Sequence, residues 1–262
     1  MAIGKSLKFD RYWRIFATGL SFAIFGVFGT TLTVLLLPVL LLTRESPARR
    51  KFGKLLLKIS FQSFLWGIQI LGIVDLRTKN IDRLKTNGRL ILANHPSLID
   101  AIILFAIIDN PNGVIKSTLF NNPSMYGLAK IAGLMRNVEG PELIRKSIES
   151  ISAGENLIIF PEGTRTKVLG QVTFKNGAAY IAIKGKFNII PVLISVSEPF
   201  LRKNQSWYAV PLKKPVLTVS VLNEVDVATT VNTTDDLLIG ASKLTKYFEK
   251  HFTHEFRVYE QS

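Results

Sequence analysis

The residues best equipped for chemistry lie in two short polar runs, each directly after an apolar one. In NHPSLID, residues 94–100, His95 stands five positions before Asp100 and follows the run RLILA. On one continuous helix two such residues would sit about 140° apart at roughly 100° per residue, and their side chains would not meet. Pro96 offers a way out. Proline favours the first helical position, so His95 is expected in a strand-to-helix loop and Asp100 on the second turn, reaching back to the imidazole. A carboxylate on one ring nitrogen sets the tautomer and leaves the other nitrogen to accept a proton, which is the arrangement of a general base. A helix-capping histidine near a surface aspartate has the same spacing, so the pair alone does not decide.

The second run is FPEGTR, residues 160–165, at the end of the apolar stretch LIIF. Gly163 lets a backbone approach a ligand closely, Thr164 supplies a hydroxyl, and the Arg165 guanidinium is a planar fork suited to phosphate. Glu162 is a poor phosphate ligand and is expected to accept hydrogen bonds from a polyol hydroxyl or from Arg165. In open α/β sheets ligands gather at the carboxyl ends of strands, so two polar motifs in that position can share one cleft.

The elements that must position these runs follow from the pattern after residue 74. Short β-rich runs at Val74–Arg77, Arg89–Ala93, Val114–Lys116, Leu157–Phe160, Ile189–Ser195 and Val216–Leu222 alternate with predicted helices near Ile99–Ile108, Ser124–Ala132, Glu142–Ala153, Asn176–Lys184 and Asp235–His251. Thr233 ahead of Asp236 gives the last helix a start resembling a capping box. Such alternation predicts an α/β fold with a mostly parallel sheet flanked by helices. The proline-rich segment 198–215 reads as a loop.

The first quarter of the chain is different. No charged residue occurs between Arg14 and Arg44, and the run is long enough to span a bilayer, with Pro38 as a candidate bend. It exceeds the apolar core of a secretory signal and no small-residue cleavage site follows it. Residues 1–58 hold 10 of the 33 Lys and Arg but only 2 of the 19 Asp and Glu, so much of the net charge of +14 borders the greasiest segment. Lys5, Lys8, Arg11 and Arg14 precede the run, and a cluster from Arg44 to Lys58 follows it. With both flanks basic, a hairpin that dips into one leaflet fits better than a straight crossing. A second helix is expected from Ser46-Pro47 onward, giving a membrane-anchoring helical hairpin over residues 1–74 and an α/β domain over 75–262. The basic charge flanks apolar helix and not an aromatic platform, which argues against nucleic acid as a partner.

The absence of cysteine removes disulfides, thiolate metal sites and a cysteine nucleophile, and no Gly-x-Ser-x-Gly run is present. His251 and His254 sit three apart without an acidic or cysteine cluster to complete a metal site, so no metal is expected.

His95 and Asp100, then FPEGTR about sixty residues later, all behind an apolar anchor, resemble the glycerolipid and lysophospholipid acyltransferase family, which includes bacterial 1-acylglycerol-3-phosphate acyltransferases. The resemblance runs from Leu76 to Ser195 and takes in Phe174, Lys175 and Gly177, and IIPVLIS with Pro191. It implies His95 and Asp100 as the catalytic pair. It also implies that Glu162, Gly163 and Arg165 help hold the acceptor's phosphate-bearing head, with Thr164 beside them as a substrate-binding candidate. Between the motifs the family has glycine and then arginine six residues on, whereas here Arg136 follows Gly133 by three. Arg136 is carried as an acceptor-binding candidate from this altered register, and Lys116, with Lys175, as a candidate for the phosphates of coenzyme A or the acidic face of an acyl carrier protein.

The implied reaction moves a fatty acyl group from acyl-CoA or acyl carrier protein to a lysophospholipid hydroxyl, with no cofactor beyond that co-substrate. The implied setting is a bacterial inner membrane with the site at its cytoplasmic face, and the partners are the bilayer, the lysolipid and the donor. A weaker resemblance of RYWRIFATGLSFAIFG is to acyltransferases beside aryl polyene pathways, which would change the acyl chain. An acyl-thioester hydrolase is the nearest competing chemistry, because the same base can activate water.

Overall fold

The computed structural model describes residues 2–137, 140–168, 170–231 and 236–261, without the side chains of residues 2–8, 260 and 261. The Lys5 and Lys8 side chains of the first basic flank, and Thr233 and Asp235 at the expected start of the last helix, therefore lie outside the described residues.

The N-terminal helix α1 (Ala2–Leu42) is followed after a short reversal by α2 (Pro47–Ile70). Ser46 caps α2, its hydroxyl accepting from the Arg49 amide at 3.2 Å, with Pro47 at the first helical position. The expected bend at Pro38 does not break α1, which continues to Leu42. Proline removes a single intrahelical bond, and the apolar turns on either side retain theirs. The chain therefore reverses at residues 43–46, between two helices, and not within the apolar run. At 1.5 Å per residue α1 is about 60 Å long, which sets its two basic flanks far apart. It is the one helix among the described residues that is long and apolar enough to cross a membrane, over Phe9–Leu42.

The remaining elements are β1 (Asp75–Lys79), β2 (Leu90–Ala93), α3 (Asp100–Ile107), β3 (Pro111–Ile115), α4 (Pro123–Ile131), β4 (Met135–Arg136), α5 (Pro141–Ser152), β5 (Asn156–Ile159), α6 (Gly177–Gly185), β6 (Ile189–Val196), β7 (Val216–Val221), α7 (Val227–Thr230) and α8 (Leu237–Gln261). The predicted mixed α/β fold is thus present, with β4 and α7 too short to announce themselves in the sequence. The seven strands run in the order β1-β7-β6-β2-β5-β3-β4. All neighbours pair in parallel except β6 and β7. Helices cover both faces, which is why β2, LILA, is buried at every position.

Successive β2 side chains point to opposite faces, and each face has its own core. Ile91 and Ala93 join Leu57, Phe61, Ile103 and Leu104 beneath α2 and α3. Leu90 and Leu92 join Ala182, Phe248 and Phe252 beneath α6 and α8.

The two N-terminal helices pack on this domain: α1 lies along α4, and α2 along α3 and α4. At the α1–α4 crossing the Gly127 amide donates to the Thr33 hydroxyl at 3.0 Å, and a Cβ on Gly29 would lie 2.3 Å from the Ser124 carbonyl oxygen. On α2, Lys54 is almost wholly buried and pairs with Glu155 at 2.5 Å, while Lys58 pairs with Asp109. The close backbone approach at Gly29 yields a direct test. Gly29→Leu is expected to lose about 1–3 kcal/mol through overpacking, read as a lower thermal midpoint in detergent. Gly26→Ala, where a Cβ meets nothing within 4 Å, should gain about 0.5–1 kcal/mol of helix propensity instead.

Candidate active site

β2 sits in the middle of the sheet with β5 on one side and β6 on the other, so the loops leaving β2 and β5 are neighbours. NHPSLID leaves β2 and FPEGTR leaves β5, and the parallel pairing puts both at the same, carboxyl-terminal edge. Asn94 fastens the first loop: its side-chain amide donates to the Ile194 carbonyl at 2.8 Å and its oxygen accepts from the Ile194 amide at 2.7 Å.

His95 Nδ1 lies 2.9 Å from Asp100 Oδ2, and the same oxygen accepts from the Ser97 amide at 2.6 Å. Asp100 is fully buried, whereas the His95 side chain retains about 19% of its exposure. Asp100 opens α3, and the residues between form a turn. This corrects the expectation that Pro96 starts the helix and that Asp100 lies on its second turn. The carboxylate binds the amide three residues earlier, so the helix begins where that turn closes. With Nδ1 donating to Asp100, Nε2 carries the lone pair, and the ring stacks on Phe160 at 4.4 Å between centroids. Burial pushes the Asp100 carboxyl above its ordinary range, opposed by the hydrogen bond and charge of His95, the Ser97 amide and the charge of Arg165.

Glu162 is not directed at Arg165. Its Oε1 accepts from the His95 amide at 2.9 Å and from the Thr166 hydroxyl at 2.7 Å, and the Thr166 amide donates to the His95 carbonyl at 2.7 Å. The FPEGTR turn therefore grips the backbone of His95 from both sides. Burial raises the Glu162 carboxyl too, with Thr166 and the His95 amide pulling it down.

Arg165 Nη1 donates to the Leu201 and Arg202 carbonyls at 2.9 Å each, inside the long loop after β6. Gly163 takes a left-handed φ of 65° at the corner of the turn, with the Lys175 side chain over it, and Thr164 is half-buried beside it. Lys116 directly follows β3 and Arg136 ends β4 at the same edge, both exposed, with the Arg136 guanidinium 4.6 Å from the centre of the Phe120 ring. Strand spacing puts them about 10 and 14 Å from the β2 line. Thr166, Ser97 and Phe160, which complete the His95 surroundings, carry no local signal in the sequence, because their parts depend on β2 and β5 being adjacent.

A cavity of 1390 Å³ runs along the β4 edge between α2, α4 and α5 and reaches Arg136, but His95 does not line it. Among the described residues no cluster of His, Asp or Glu is placed to hold a metal ion. His251 stacks on Tyr247 at 5.9 Å on α8, and burial lowers its imidazole.

Residues 75–195 match the family model described as Acyltransferase. A 1-acyl-sn-glycerol-3-phosphate acyltransferase of Saccharomyces cerevisiae is 26% identical over 167 residues, covering 58% of this chain and 54% of that protein. One of Cocos nucifera is 30% identical over 122 residues, covering 43% and 39%. The chloroplastic enzyme LPAT1 of Arabidopsis thaliana is 25% identical over 181 residues, covering 64% and 48%. The chain thus spans about half the length of the curated relatives it matches. The crystal structure of the 1-acyl-sn-glycerophosphate (LPA) acyltransferase PlsC of Thermotoga maritima superimposes with a TM-score of 0.68 at 18% identity, over 98% of both chains. At that identity the likeness speaks for the fold.

A carboxyl whose pKa rises on folding is ionised less readily in the folded state, so its contribution to stability falls as pH climbs above the unfolded value, 3.8 for Asp100. Asp100→Asn keeps an acceptor for Ser97 and His95 but never carries the charge. It is expected to unfold at a higher temperature than the parent at pH 8, with the difference closing toward pH 4, as measured by thermal unfolding across pH. A lower midpoint at pH 8 would mean that the ionic bond to His95 outweighs burial.

Proposed function

We propose that the chain, of which residues 75–195 match the acyltransferase family model, is a membrane-bound O-acyltransferase that moves a fatty acyl group from a thioester donor to the hydroxyl of a lysophospholipid of the 1-acylglycerol-3-phosphate type. The observation that carries this reading is the His95–Asp100 bond of 2.9 Å, which leaves Nε2 free on a partly exposed ring at the sheet's carboxyl edge. His95 Nε2 takes the proton of the acceptor hydroxyl as its oxygen attacks the thioester carbonyl, and Asp100 stabilises the imidazolium. The tetrahedral intermediate then expels the thiolate, which recovers the proton from His95. Atoms balance without an acyl-enzyme or a cofactor.

Glu162 and Thr166 are positioning residues in this scheme, because they hold the His95 backbone and not the substrate. Arg136 and Lys116, exposed at the same edge, supply cations for the acceptor's phosphate and the donor, with coenzyme A and acyl carrier protein as the candidate donors. Such donors are water-soluble, so the site faces the cytoplasmic side of a bacterial inner membrane. The exposed apolar surface of α1 and α2 lies in that bilayer, as the membrane-anchoring segment 1–74 in front of the α/β domain 75–262.

The purified protein given an acyl thioester and a lysophosphatidate should form the diacyl product, and His95→Ala should lower turnover by about 10²–10⁴ while still unfolding in one cooperative thermal transition. Thiol release at the same rate with and without the lysolipid would mark a hydrolase instead.

A further inference from the structure

The loop between β6 and β7 is built unlike a passive connection. Residues 198–215 carry four cations and one acid, with Arg202 and Lys203 on one side of Trp207-Tyr208 and Lys213 and Lys214 on the other. Trp207, Tyr208 and Leu212 are about half exposed, at 48%, 57% and 51%. The tip is nevertheless ordered from within: the Gln205 side chain accepts from the Arg202 amide at 2.9 Å and donates to the Pro199 and Ala209 carbonyls at 3.1 and 2.7 Å.

Its two ends connect the candidate site to α1. At the root, Leu201 is held in a left-handed conformation, φ 52°, where a bulky residue is strained. Its carbonyl accepts from the Leu98 amide at 3.1 Å, within NHPSLID, and from Arg165 of FPEGTR at 2.9 Å. At the far side Arg11 donates to the Val210 carbonyl at 3.0 Å, and Arg14 to those of Pro211 and Leu212 at 3.1 and 2.6 Å. Trp207 lies on Gly19, where a Cβ would come within 2.9 Å of the indole, and the neighbouring Phe16 and Leu20 of α1 are exposed.

We propose that this loop is an interfacial docking element that seats Trp207, Tyr208 and Leu212 among the headgroups of an anionic phospholipid bilayer and so ties the mouth of the His95 site to the membrane surface. The occupant follows from the chemistry: indole and phenol rings prefer the headgroup level, and Arg202, Lys203 and Lys213 add attraction for anionic lipid, Lys214 being paired with Asp75 at 2.7 Å. The patch is also continuous with the exposed apolar face of α1. The inference rests on the membrane-bound reading above and adds to it a second contact, one that is wired to the catalytic motifs.

Fluorescence quenching by brominated lipid tests both and tells them apart. One full-length variant keeps Trp207 as its only tryptophan (Trp13→Phe, Trp66→Phe); a second carries Phe28→Trp together with Trp13→Phe, Trp66→Phe and Trp207→Phe, and reports on the middle of α1. Both are reconstituted in phosphatidylglycerol vesicles with phosphatidylcholine brominated near the headgroup for Trp207 and, in separate vesicles, near the headgroup and near the chain ends for the Phe28→Trp variant, after each is shown to keep acyl transfer. Trp207 emission is expected to fall about twofold, with weak quenching by aqueous iodide. Quenching in the Phe28→Trp variant without quenching of Trp207 overturns the loop assignment and leaves the membrane-bound reading standing. Quenching of Trp207 alone supports the loop and overturns the embedded helix, and quenching of neither overturns both.

Discussion

The arrangement depends on a carboxylate placed where water cannot reach it. Asp100 is completely buried, and among the described residues only the His95 ring and the Ser97 amide meet its Oδ2, while Oδ1 has no hydrogen-bond partner among them. Ionising such a group is costly unless a donor compensates it, so the protein retains a stability penalty at this point and gains an imidazole with one defined tautomer. Burying the orienting group while leaving the ring partly open is possible because the ring lies at the end of a strand and the carboxylate at the start of the helix behind it.

That placement in turn relies on the sheet. β2 has both faces covered and a strand on either side, so its carboxyl end is among the most constrained points of the molecule. Asn94 extends the ladder by one more pair of bonds to Ile194, and the turn after β5 holds the His95 backbone through Glu162 and Thr166. The histidine thus rests on three strands. Glu162 has the character of a strut, since its carboxylate replaces a backbone acceptor that an irregular loop would otherwise lack.

The N-terminal helices belong to the same mechanical unit. α1 is clasped at Arg11 and Arg14 by the loop after β6 and at Gly29 and Thr33 by α4, so the domain follows it for some 20 residues, about 30 Å. A bilayer that holds α1 therefore also fixes the distance of the domain from its surface. For an enzyme whose acceptor resides in lipid, such coupling keeps the substrate within reach of the base.

Much of this was legible in the residues themselves. The alternation of strand and helix and the apolar helix in front rest on local pattern, which a sequence carries directly, whereas the spacing of His95 and Asp100 only allowed their contact and the resemblance favoured it. What it could not carry was direction. Glu162 and Arg165 are adjacent to residues suited to phosphate, yet one points to the His95 amide and the other to the Leu201 and Arg202 carbonyls. Nothing in FPEGTR distinguishes these outcomes, because the acceptors come from β2 and from the loop after β6, about 40 to 70 residues away in the chain. Likewise Pro38 by its own chemistry does not say that α1 continues through it to Leu42, so that the chain reverses only at residues 43–46. Composition and spacing determined which groups are available and which elements carry them; the packing of β2 against β5 and β6 decided what each group touches, since a hydrogen bond needs its partner at the right distance and angle and only the tertiary fold supplies both.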